Sequence, residues 1–126
     1  MSKAHIVIVN WNAGDLLRQC VASIAAHGGD AVDSVVVVDN GSVDGSADLG
    51  DVGPSVRIDR TGDNLGFGRA TNRGAAGASA PYLLFLNPDA ALEAGALQTA
   101  LRFLDQPENS GVGICGIRLG DERGHT

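Results

Sequence analysis

Two runs of almost purely β-branched residues, HIVIV at 5–9 and SVVVV at 34–38, constrain this chain more than any other feature. Neither run alternates apolar with polar residues, so neither suits a strand with one wet face. An unbroken Val/Ile run is the pattern of a strand buried on both faces, as in parallel sheets covered by helices above and below. Each run stops abruptly at a polar cluster. Asn10-Trp11-Asn12 follows the first, and Asp39-Asn40-Gly41-Ser42 follows the second.

The remaining segments fit the same plan. Residues 15–27 carry Leu16, Leu17, Cys20, Val21 and Ile24 at helical spacing, and Gly28-Gly29 stops that helix. Residues 56–58 predict a short strand and 66–80 a helix of small residues. A strand at 82–86 (YLLFL) ends at Asn87-Pro88-Asp89. A helix at 92–104 places Leu97, Ala100, Leu101 and Leu104 on one face, and residues 112–117 predict a last strand. The expected order is β-α-β-α-β-α-β-α-β. That is an α/β fold, a mostly parallel open sheet with helices on both faces. Residues 1–119 form its one domain and residues 120–126 a polar tail. Ligands of open parallel sheets sit outside the carboxyl ends of the strands. The three polar clusters stand there and are expected to line one crevice.

Composition restricts what such a crevice binds. The formal charge is −6, which argues against general binding to nucleic acid or to anionic membrane. An anionic ligand would need a metal ion or local arginines to offset that charge. Cys20 and Cys115 show no zinc spacing and read as two buried thiols. The N-terminus has no signal-peptide pattern and its apolar run is too short to span a membrane. The expected location is cytoplasmic, at the cytoplasmic membrane face in a longer protein.

Four constellations carry candidate chemistry. Asp39, at the end of a buried strand, can accept the N3–H of a uracil or thymine ring in a charge-assisted hydrogen bond. The bland alternative makes Asp39 a turn former, with Asp44 or Ser42 capping a following helix. In the run from Asn64 to Gly74, glycines allow close backbone approach to a ligand at a helix start. Gly74 and Ala75 equally suit close helix–sheet packing. Arg69 and Arg73 lie one helical turn apart. Asp89 is placed to hold Mg²⁺ or Mn²⁺, ions that take most of their ligands from water and phosphates. The alternative is a Pro-containing turn. Finally, Trp11 either packs in the core or flanks a base, and the Asn10 and Asn12 amides can orient a ligand.

Taken together, IVIVNWN, VVVVDNGSVDGS, NLGFGRATNRG and LLFLNPDA resemble, in order and spacing, the family-2 glycosyltransferases of the GT-A fold, from about residue 6 to residue 119. The NPD variant and the GF-x-x-x-x-N-R-G run resemble the rhamnosyltransferase-like branch. The resemblance implies a nucleotide-diphosphate sugar donor, UDP- or dTDP-linked, and inverting transfer to a glycan or lipid-linked acceptor. It implies that Asp39 binds the nucleobase and that Val9, Asn10, Trp11 and Asn12 line base and ribose. Asn64, Gly66, Asn72 and Arg73 would lie along the nucleotide. Asp89 would match the last acid of the family's DxD metal motif. The sequence departs from the pattern at Asn87, where the first acid stands, and at Thr71, where many members carry Arg.

The family's catalytic base lies beyond the metal motif, after a further strand. Asp105, Glu108, Asp121 and Glu122 follow no such strand, and Asp121-Glu122 reads as a hairpin turn. The expectation is a donor-binding portion that lacks base and acceptor site, inactive alone, with open strand edges that favour a homodimer. A non-catalytic nucleotide-binding scaffold is the second reading. A nucleotidyltransferase is the third, disfavoured because no Lys or Arg follows the first strand before Arg18.

Overall fold

The computed structural model describes residues 1–121 and Arg123. Four parallel strands, β1 (Ala4–Asn10), β2 (Val32–Asp39), β3 (Val56–Arg60) and β4 (Tyr82–Phe85), form one sheet in the order β3-β2-β1-β4. The two Val/Ile runs are the central pair, and their register sets Ile6 against Val35, Ile8 against Val37 and Asn10 against Asp39. Each is covered on both faces, as its lack of alternation demands.

The helices divide between the faces. Ile6, Ile8, Val35 and Val37 pack with α1 (Leu16–His27), through Leu17, Cys20, Val21 and Ile24, and with α3 (Ala96–Asp105), through Leu97 and Leu101. The opposite face is a smaller cluster of Val7, Val36 and Val38 around Ala70 of α2 (Phe67–Ala75). Gly74 sets how closely α2 approaches. A Cβ there would fall 2.5 Å from Val7 Cγ1 and 3.0 Å from Val38 Cγ2. His5 ties the same contact, with Nε2 2.9 Å from the Gly74 carbonyl and Nδ1 2.6 Å from Ser34 Oγ. The carbonyl can only accept, so Nε2 carries a hydrogen.

Several expectations need correction. No helix forms between β2 and β3. Residues 41–50 are turns and bends, tied down by Arg60 to Asp48 (2.6 Å) and by Arg18 to the Asp48 and Leu49 carbonyls. The helix expected over 66–80 ends at Ala75. The one expected from Leu92 begins at Ala96, because Gly95 is left-handed (φ 80°) and the Leu92 N–H is taken by Ser23 Oγ. The strand expected at 112–117 does not form among the described residues. It finds no neighbouring strand for its backbone groups, and Ile114 is 92% exposed. Glu122, half of the expected hairpin turn, lies outside the described residues. Cys20 is buried as expected, whereas Cys115 is only half-buried, and both are free thiols.

On β4, Leu84 faces the larger cluster. Leu83 and Phe85 alternate to the other face, beyond the cover of α2, and remain about half exposed.

A Gly74→Ala variant should lose roughly 1–3 kcal/mol, the usual cost of overpacking a tight contact. Gly68→Ala, in the same helix with open space around it, should be neutral or stabilising by up to about 1 kcal/mol. Urea unfolding of the two variants tests this. Equal effects would contradict the close-packing role of Gly74.

Candidate functional site

At the carboxyl end of the sheet, Asn10 closes β1 and Asp39 closes β2. Each unbroken Val/Ile run thus ends in a polar side chain that is itself buried. Asn10 Nδ2 donates its two hydrogens to Asp39 Oδ1 (3.0 Å) and Ser46 Oγ (2.8 Å), with Ser42 Oγ a third, longer contact (3.2 Å). Its Oδ1 is buried and has no partner among the described residues, a cost of about 1–3 kcal/mol in a folded interior. Turning the amide over would set its oxygen against Asp39 Oδ1, two acceptors face to face, so the chemistry fixes its orientation. Asp39 is 3% exposed. Only Oδ1 of its carboxylate is hydrogen-bonded by protein among the described residues.

The loops after β1 and β2 are sewn together. Asn12, the one non-glycine residue with positive φ (51°) among the described residues, donates its N–H to Ser42 Oγ (2.9 Å) and accepts the Val43 N–H (2.8 Å). Asp44 accepts the N–H groups of Gly14 and Ser46. The bonds from Ser46 hold its carboxyl below the usual carboxylate range. Between these ties Trp11 stands 57% exposed at the strand end, so it is a surface group and not core.

A second buried amide fixes the loop before α2. Asn40 Nδ2 donates to Asn64 Oδ1 (3.0 Å), and Asn40 Oδ1 accepts the Leu65 N–H (2.8 Å). Gly41 (φ 86°) passes so close that a Cβ would fall 3.0 Å from the Asp63 backbone. Sequence reasoning set Asn40 and Ser42 in a cluster expected to line the crevice, but assigned Asn40, Ser42 and Ser46 no ligand-binding role. The signal was available: a polar residue directly after a buried strand is itself buried, and a buried amide needs partners.

The structure places Asn10 beside Asp39 at the ends of β1 and β2, with Val9, Trp11 and Asn12 adjoining Asn10 along the chain, and ties Asn64 and Gly66 to Asn40 just after β2. Other expected residues stand apart. Arg73 is turned to the outer strand, where Nε and Nη2 each donate to the Asp59 carboxylate at 2.8 Å. That guanidinium holds the Asp59 carboxyl below its ordinary range. Asn72 is exposed, and Thr71 Oγ1 is buried without a partner. Arg69 is exposed and makes no ion pair among the described residues.

Asn87 and Asp89 are exposed on the turn after β4, beside α1, on the other flank of β1. Cys20 Sγ lies 3.6 Å from the Asn87 carbonyl. Burial first, and then the Asp89 charge, push its thiol up to about 12. Asp89 makes no hydrogen bond or ion pair among the described residues, and no group of three or more His, Cys, Asp or Glu that could hold a metal gathers there. A cavity of about 610 Å³ lies elsewhere, between α3 and residues 115–120. It touches none of the strand-end residues, so its size gives it no claim on the chemistry. No helix among the described residues is long and apolar enough to cross a membrane.

The sequence profile of the family described as Glycosyl transferase family 2 matches residues 5–126. No curated protein matches the chain significantly. Among solved structures, S. aureus TarS 1–349 is similar at 22% identity and a TM-score of 0.71, over 82% of this chain and 32% of that one. The same protein in complex with UDP-GlcNAc gives 21% and 0.72, over 82% and 31%. The mannosyltransferase PcManGT from Pyrobaculum calidifontis, in complex with GDP-Man and Mn²⁺, gives 21% and 0.73, over 84% and 33%. At such identity the likeness shows the fold, and the chain spans about a third of the length of these proteins.

The Asp89–Cys20 proximity is testable by alkaline titration of thiolate absorbance. Asp89→Asn should bring the Cys20 pKa down from about 12. The raised folded pKa also means that Cys20 favours folding fully below 9.0, and that this contribution is lost as pH rises towards about 12. An unchanged Cys20 titration in Asp89→Asn would show that the two groups are not neighbours.

Proposed function

This chain belongs to glycosyl transferase family 2, and from that premise we propose that it binds the nucleotide of a UDP- or dTDP-sugar in the crevice between the ends of β1 and β2. The observation that carries the reading is Asp39: a nearly buried carboxylate at a strand end, fixed through one oxygen and without a side-chain partner on the other among the described residues. Such a group suits the N3–H of uracil or thymine. Trp11 offers an exposed aromatic face beside it for stacking. Asn40 holds the loop of Asn64 and Gly66, whose backbone then borders the ribose and phosphates.

The residues present fit a divalent cation on the far flank of β1. Asp89 is exposed and uncommitted, and one carboxylate suffices where water and phosphate complete the ligand set. Asp89, with the Asn87 amide next to it, would hold Mg²⁺ or Mn²⁺. That ion's chemistry is to offset the charge of the diphosphate, including the charge that grows as the phosphate leaves. Sheet order supports the pairing of the two acids. One strand separates β2 from β4, so their axes lie about 10 Å apart, comparable with the reach from a base edge to a diphosphate. Arg73 is committed to Asp59, so Arg69 is the cation left to meet the phosphates.

Two structural relatives were determined with UDP-GlcNAc and with GDP-Man and Mn²⁺, which supports a nucleotide-sugar donor here. For this chain the proposed sugar is rhamnose, from the branch resemblance, and the proposed reaction is inverting transfer to a glycan or lipid-linked acceptor. The chain's own part is donor binding. Asp105 does not serve as the base. It accepts the Ser2 N–H (2.7 Å) and the Tyr82 hydroxyl (3.3 Å) at the amino end of the sheet, opposite the crevice. The chain is therefore proposed to be inactive alone.

Calorimetric titration with UDP, dTDP and GDP, each with and without Mn²⁺, tests this reading. UDP and dTDP should bind, and Asp39→Ala should weaken them about ten- to a hundredfold, the range of a hydrogen bond to a charged group. Asp89→Ala should abolish the Mn²⁺ dependence while leaving a weak, metal-independent affinity. No binding, or unaltered binding in Asp39→Ala, would overturn the proposal.

A further inference from the structure

We propose that Asn10 is a specificity-determining positioning residue: it tethers one oxygen of Asp39 and so presents the other to a single N–H donor, favouring uracil or thymine over guanine. The inference rests on the reading of Asp39 as the base-binding group. It adds a role for a side chain that is fully buried and therefore cannot touch a ligand itself.

The argument begins with what a free carboxylate recognises. With both oxygens available, it pairs with two adjacent N–H donors, and guanine presents such a pair at N1 and N2. Uracil and thymine present one, at N3. In this structure Asn10 Nδ2 holds Asp39 Oδ1 at 3.0 Å, which tethers that oxygen on the Asn10 side and leaves Oδ2 without a side-chain partner among the described residues. Two donors side by side would compete with Asn10 for Oδ1, whereas one donor would not.

Asn10 is itself well secured. The two hydrogens of the amide nitrogen serve Asp39 Oδ1 and Ser46 Oγ (2.8 Å), with Ser42 Oγ a longer contact at 3.2 Å, and the orientation cannot invert without opposing two acceptors. The terminal torsion of an aspartate is broad and soft. Without a fixed donor on Oδ1, the carboxylate would be free to rotate both oxygens towards the crevice. The unpartnered Asn10 Oδ1 fits this role. The amide is held so that its nitrogen faces the acid, at the expense of its own oxygen.

The test measures affinities for UDP, N3-methyl-UDP and GDP in the unaltered chain and in Asn10→Ala, with folding checked by circular dichroism. The unaltered chain should prefer UDP over N3-methyl-UDP by roughly tenfold or more, which establishes the underlying reading. In Asn10→Ala the ratio of UDP to GDP affinity should fall by at least about tenfold. A merely structural role would weaken both nucleotides alike, and a preserved ratio, or joint loss of both, overturns the proposal. If the unaltered chain does not discriminate against N3-methyl-UDP, the reading of Asp39 fails and the role of Asn10 falls with it. Should Asn10→Ala not fold, the Asn10 side-chain amide is followed by NMR in the unaltered chain. Its resonances should shift with UDP and not with N3-methyl-UDP, and resonances that respond to neither overturn the proposal.

Discussion

Asn10 meets Asp39 because β1 and β2 pair in parallel in one unbroken register from His5 opposite Ser34 to Asn10 opposite Asp39, after a one-residue shift at Ala4. A slip of one residue would turn every side chain to the other face. Ile6 and Ile8 would leave the α1/α3 layer, and Val7 would leave the contact with Gly74. Burial of the Val/Ile runs on both faces therefore fixes the register, and the register delivers the polar pair to the sheet end. The hydrophobic core and the candidate site depend on the same alignment. The remaining ties, from Asn12 to Ser42 and from Asn40 to Asn64, elaborate a geometry that the two strands have already set.

Much of this was legible in the sequence because it depends on local pattern. The unbroken runs announced buried parallel strands. The spacing of Leu17, Cys20, Val21 and Ile24 announced the buried stripe of α1. The small residues near Gly74 announced a close helix–sheet contact. What was not legible depends on partners distant in sequence. Whether residues 112–117 form a strand is decided by whether a neighbour accepts their backbone groups. Whether Arg73 faces a ligand or Asp59 is decided by where β3 runs. The direction of the Asn10 amide follows from acceptors on β2 and the loop after it. Gly95 shows a local signal misweighted, since a left-handed glycine delayed a helix whose apolar spacing seemed to begin earlier.

The acidic balance of the chain gains meaning from the fold. Asp39 and Asp89 flank β1 from opposite sides, one nearly buried and tethered, the other exposed and uncommitted. That contrast suits two tasks. A tethered carboxylate recognises a donor at a defined position, and an exposed one takes up a hydrated cation. Under the proposed function, the division would let a chain of formal charge −6 present a site for an anion: Asp39 and the phosphates would lie at opposite ends of the ligand, with the cation at the phosphate end.

The most direct measurement is a crystal structure of the chain with UDP and Mn²⁺. The account predicts the uracil between Trp11 and the loop of Asn64, its N3 within hydrogen-bonding distance of Asp39 Oδ2, and Asn10 still bonded to Oδ1. A nucleotide seated elsewhere, for instance in the cavity beside α3, or a uracil whose N3 turns away from Asp39, would contradict it.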